Sequence, residues 1–132
     1  MDQKRFLERK SDFLSAVIRL QEACEQPFSS FIRDAVIQRF EFCFELSWKL
    51  LKLRLEYLGV EALNPRDVLQ SALSSGLIHE GNLWTEAQRN RNLTSHTYDE
   101  KLADQVYHYI FDQGLSLFQK LAHEASSWQM NR

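Results

Sequence analysis

The sequence predicts an all-α protein, a five-helix up-and-down antiparallel bundle, and three observations carry that reading. Breakers are scarce: four Gly and two Pro in 132 residues, too few for the turns of an all-β fold. Apolar residues recur at helical spacing rather than in alternation. Polar residues suited to capping stand where the periodic stretches begin. The composition, 44% apolar and 26% charged, is that of a globular chain rather than a disordered one. A chain of this size buries about two-thirds of its unfolded surface, so one domain covering residues 1–132 is expected.

The first helix is expected from about Lys4 to Glu25. Phe6, Phe13, Val17, Leu20 and Cys24 form one stripe, with Leu7, Leu14 and Ile18 beside it. Pro27 and the pair Ser29-Ser30 break the pattern, and either serine oxygen can accept from a free N–H at the next helix start. The second helix, about Phe31 to Leu58, is the longest. One face carries Phe40, Phe44, Trp48, Leu51, Leu55 and Leu58; a second carries Phe42, Leu46, Leu50, Leu53 and Tyr57. A helix apolar on two sides is buried on two sides. In a small bundle only one side is expected to meet the core, so the second points to another subunit. Gly59 can take the left-handed conformation that ends the helix.

Asn64-Pro65-Arg66-Asp67 reads as a helix start, with Asn64 capping, Pro65 in the first turn and Asp67 facing the positive dipole end. Ser74-Ser75-Gly76 ends this short third helix. A fourth is expected from near Leu83-Trp84 to Asn92 or Ser95. Thr97 and Glu100 have the spacing of a capping box for a fifth helix, about Asp99 to Ser126. Gly114 falls in its middle, at a propensity cost of about 1 kcal/mol, which close packing on a neighbouring helix would explain.

Sixteen Lys and Arg against eighteen Asp and Glu give a net charge of −2, which excludes a bulk polybasic nucleic-acid binder. Cys24 and Cys43 are far apart and lack Cys-x-x-Cys spacing, so both read as small buried core residues. No secretory h-region and no apolar run near the ~20 residues of a membrane span is visible, which leads to the expectation of a cytoplasmic protein that makes no membrane contact. His79, His108 and His123 are scattered without metal-ligand spacing, and no phosphate loop occurs, so no metal or cofactor is expected. Glu41 and Glu45, four apart, can serve as a carboxylate pair, but Glu45 with Lys49 reads more simply as a surface ion pair.

One stretch concentrates chemistry: Gln88-Arg89-Asn90-Arg91-Asn92-Leu93-Thr94-Ser95-His96-Thr97-Tyr98. On an unbroken helix Arg91 and His96 diverge by about 140°, so they converge only if the helix ends near Ser95. A cap at Thr97 would supply that end. Arginine offers a fork of donors that fits phosphate, and histidine exchanges a proton near neutrality. Together they can serve an RNA 2′-hydroxyl attack without a metal. A polar helix terminus is the plainer alternative.

The run Ile37-Gln38-Arg39-Phe40-Glu41-Phe42-Cys43-Phe44-Glu45-Leu46-Ser47-Trp48-Lys49-Leu50-Leu51-Lys52 resembles the nucleotidyltransferase substrate-binding protein family, part of the HEPN superfamily with the HepT-like toxins. The resemblance continues through Asn64-Pro65-Arg66-Asp67-Val68, Gly76-Leu77-Ile78, Leu83-Trp84 and the segment from Arg91 to Glu100, covering nearly the whole chain. It implies a five-helix bundle, a homodimer, and a complex with a separately encoded minimal nucleotidyltransferase. It implies a site for a nucleotide or RNA substrate, with Arg91, Asn92, His96 and Tyr98 as binding residues. In ribonuclease members the Arg and His are catalytic, and Arg91 and His96 match them; Tyr98 matches the tyrosine that the partner AMPylates in HepT-like members. Two functions are therefore expected in contest. One is a non-catalytic substrate-binding subunit; the other is a metal-independent endoribonuclease toxin neutralised by the nucleotidyltransferase. The net charge gives little attraction for RNA and tilts the balance to the first.

Overall fold

The computed structural model describes residues 3–130. The helices are α1 (Gln3–Cys24), α2 (Ser30–Tyr57), α3 (Pro65–Ser74), α4 (Gly81–Leu93), α5 (Glu100–Tyr109) and α6 (Leu115–Ala125), with a 3-10 turn at Thr94–His96. A π-helical turn, Ile110–Gly114, joins α5 and α6 without leaving helical dihedrals, so the two form one rod and the molecule is a five-helix bundle. Long-range bonds fix the directions. Lys10 in the first half of α1 donates to the Ser126 and Trp128 carbonyls beyond α6, while Gln119 in α6 donates to Gln21 near the end of α1. The two helices are thus antiparallel.

Local chemistry sets most boundaries as expected. Ser29 is the cap that is used: its oxygen accepts from Ile32 N (3.0 Å). Asn64 accepts from Asp67 N (3.0 Å), with Pro65 in the first turn. Gly59 and Gly76 both hold positive φ, +85° and +77°, at helix ends. The start of α4 lies two residues before the expected Leu83. Glu80 precedes it in the left-handed region (φ 59°), and Gly81 leaves space taken by Leu73, whose side chain would lie 2.8 Å from an added Cβ. The expected Thr97–Glu100 capping box does not form. Asp99 caps α5 instead, accepting from Lys101 N and Leu102 N, because a carboxylate is the stronger acceptor and Glu100 is engaged elsewhere.

The expectation that only one side of α2 meets the core is corrected. This helix is central and packs against α1, α3, α4, α5 and α6. Leu50, Leu51, Leu53 and Leu55 are all buried within one chain, although they belong to both predicted faces. Phe42, Leu46 and Tyr57 stay half-buried, and Leu58 is exposed. On α1 the stripe from Phe6 to Cys24 is buried, whereas Leu7 and Ile18 face solvent. Gly114 is explained by contact: an added Cβ would lie 3.0 Å from Tyr109 Cε2 and 3.4 Å from Phe40 Cε1. Both cysteines are free and buried, and burial pushes their thiols up, to about 11 for Cys24 and about 12 for Cys43. Among the described residues no helix is long and apolar enough to cross a membrane.

Candidate functional site

The polar stretch lies where α4 gives way to the 3-10 turn. The helix ends at Leu93, and the tightening is held by hydroxyls. Thr94 Oγ1 donates to the Arg91 carbonyl (2.7 Å), Ser95 Oγ to the Asn92 carbonyl (3.0 Å) and Thr97 Oγ1 to the Thr94 carbonyl (3.0 Å). These bonds satisfy carbonyls left open at a helix C-terminus. Thr97 thus acts at the end of one helix rather than at the start of the next.

Arg91 is the anchored member. Its Nε donates to Glu45 Oε1 on α2 (3.2 Å), and its Nη1 donates to Thr94 Oγ1 (3.0 Å). Glu45 is held in turn by Trp48, whose Nε1 donates to Oε2 (2.9 Å). The Arg91 side chain is 28% exposed, so the guanidinium is oriented by protein and open to solvent on the rest of its rim. His96 is exposed, with its ring edge-on to Tyr98 at 6.1 Å between centroids. Tyr98 is 84% exposed. Asn92 is exposed, and no side-chain hydrogen bond of it occurs among the described residues. The turn therefore gathers four predicted residues on one short segment, but among the described residues Arg91 and His96 make no hydrogen bond to each other.

Sequence reasoning did not find Glu45 or Thr94 as partners of Arg91, nor Trp48 as the partner of Glu45. The i,i+4 spacing paired Glu45 with Lys49, and the structure corrects this, since Glu45 turns to Trp48 and Arg91. The only signal was a carboxylate on the polar strip of α2. Its level relative to α4 is a matter of tertiary register. A second missed cluster lies at the junction of α2 and α5. Arg33, 4% exposed, donates Nη1 to Glu100 (2.6 Å) and Asp104 (3.0 Å), Nη2 to Glu100 (3.3 Å), and Nε to Asp34 (3.1 Å). These bonds hold the Glu100 carboxyl below its usual range and the guanidinium firmly charged. Among the described residues no group of three or more His, Cys, Asp or Glu is placed to hold a metal ion.

The fold and this turn define a class: an all-helical bundle domain that presents an oriented arginine, a histidine and a tyrosine at one helix end. The chain belongs to the family described as nucleotidyltransferase substrate binding protein like, whose model matches residues 8–127. A Haemophilus influenzae protein described as probable ribonuclease HepT is 38% identical over 92 residues, which span 63% of this chain and 63% of that one. A crystal structure from Thermus thermophilus superposes with a TM-score of 0.77 at 33% identity, covering 84% of this chain and 96% of the other. A Haemophilus influenzae structure described as revealing the fold of a substrate binding domain of a nucleotidyltransferase has a TM-score of 0.67 at 28% identity, covering 96% and 100%.

Proposed function

We propose that this chain is the non-catalytic substrate-binding subunit of a two-component nucleotidyltransferase, working with a separately encoded minimal nucleotidyltransferase. The observation that carries the reading is Arg91: a guanidinium held at Nη1 by Thr94, paired at Nε with Glu45 in the free protein, and open on its remaining rim. An arginine oriented in advance loses less freedom on meeting a phosphate. Asn92, His96 and Tyr98, exposed beside it, would meet the rest of a nucleotide-bearing substrate. A homodimer is part of the proposal. The half-buried Phe42 and Leu46 on α2 share a helix side with Phe31, which is 84% exposed, and a second copy would cover them.

The test is copurification with the minimal nucleotidyltransferase of the same genome, together with binding of AMP as a phosphate-bearing probe. Association at micromolar concentration, and AMP binding lost in Arg91→Ala, are expected. No association, or AMP binding indifferent to Arg91, would overturn the reading. Light scattering checks the dimer, and a monomer at high concentration would refute it.

A second reading is favoured by one finding, the relative described as a probable ribonuclease. Here His96 would exchange a proton with an RNA 2′-hydroxyl and Arg91 would stabilise charge on the phosphate. Exposed Tyr98 would be the residue AMPylated by the nucleotidyltransferase. Expression of the chain alone decides it. Growth arrest with RNA cleavage, lost in Arg91→Ala and His96→Ala, supports the nuclease; a harmless wild type that leaves RNA intact sinks it.

A further inference from the structure

The partner of Arg91 is itself an anion. Glu45 projects from α2 and takes the Arg91 Nε, which is one arm of the side-on fork an arginine offers to a phosphate. Thr94 Oγ1 accepts a hydrogen bond from Nη1. Among the described residues Nη2 makes no hydrogen bond, so it is the part of the guanidinium left for a ligand. A phosphate approaching this rim meets a carboxylate already in place, at a pair partly open to water, with side chains 28% and 38% exposed. Glu45 is not loosely placed: Trp48 Nε1 holds its other oxygen at 2.9 Å.

We propose that Glu45 is a built-in competitor for the Arg91 site: it occupies the Nε arm of the fork in the free protein and is displaced when a phosphate group binds. This rests on the reading of Arg91 as a phosphate-binding residue. Displacement needs no proton transfer: the phosphate accepts from the Nε–H and the Glu45 carboxylate, still ionised, is released toward solvent. Its consequence is selectivity. A weakly charged or poorly placed group does not dislodge a carboxylate held by an indole, whereas a phosphate able to use both arms of the fork does. The indole N–H of Trp48 reports the exchange, because its acceptor moves.

The experiment is an AMP titration followed on the indole N–H resonances of the isotope-labelled protein. Trp48, Trp84 and Trp128 give three signals, and Trp48→Phe assigns the first. The Trp48 signal is expected to shift with the midpoint of AMP binding. Glu45→Gln keeps the shape and removes the charge, and is expected to bind AMP about fivefold more tightly, the ratio that loss of one exposed like charge allows. Glu45→Ala moves affinity the same way by a different route. If AMP binding needs Arg91 but the Trp48 signal stays still and both Glu45 variants bind no more tightly, the competitor is refuted while the binding site stands. If AMP binding does not need Arg91, the site itself falls and this inference with it.

Discussion

Arg33 and Arg91 show what separates an arginine that holds a fold from one that is ready for a ligand. Arg33 is closed off from water and spends its donors on three carboxylates of its own chain. Arg91 has one carboxylate and one hydroxyl and remains 28% exposed. Both guanidiniums bridge from one helix to another. The first is buried and bound to a carboxylate at each of its three nitrogens, so its effect is confined to stability. The second is fixed on part of its rim and open on the rest, which is the arrangement a binding site requires.

Arg33→Met should break the comparison most visibly. It removes charge-assisted bonds and leaves carboxylates facing one another, a loss of about 2 kcal/mol. Thermal unfolding should fall by about 5–10 °C for a chain of this size, with AMP binding of the folded protein unchanged. An AMP affinity that falls in step would mean that Arg33 also shapes the site. Thr94→Val comes next. It keeps the volume of a side chain that is 6% exposed but loses both its bond to the Arg91 carbonyl and its acceptance from Nη1. The expected cost is about 1 kcal/mol, accompanied by weaker AMP binding, because the guanidinium is no longer held. Arg91→Met should be milder still for stability, about 0.5 kcal/mol or less as for an exposed pair, yet should abolish AMP binding. A large stability loss there would make Arg91 a second Arg33.

The same two arginines mark how far the sequence could be read. Ser29 and Asn64 were legible as caps because each bonds a backbone N–H three residues on, a distance local pattern covers. The stretch from Arg91 to Tyr98 was legible because unusual residue types are adjacent in the chain. Arg33 with Glu100 was not, since 67 positions separate them, nor was Arg91 with Glu45 at 46. Such pairs depend on how α2 registers against α4 and α5, which no period within one helix encodes. The failed capping box at Thr97 has the same origin. Its local spacing was right, but the distant Arg33 had claimed Glu100. The two-faced pattern of α2 does correspond to two-sided burial. Attributing its second side to another subunit overlooked how completely α1, α3, α4, α5 and α6 enclose a central helix.

The smallest effect expected is also resolved by pH. Arg33 holds the Glu100 carboxyl below its usual range, so the folded chain binds that proton less readily than the unfolded chain does. The stability this supplies is fully present above the unfolded value of about 4.3, and is lost as pH falls through the depressed folded value. Glu100→Gln should therefore unfold at a slightly lower temperature than wild type at neutral pH, by the margin of an exposed carboxylate with a shielded partner. The gap should hold steady down to about pH 4.3 and close below it. Thermal melts of both proteins from neutrality into acid check this, and the subtraction removes the titration of carboxylates remote from Glu100. A gap that persists in strong acid would show that Glu100 is held by packing rather than by charge, and Arg33 would then no longer be the charge-paired arginine against which Arg91 is measured.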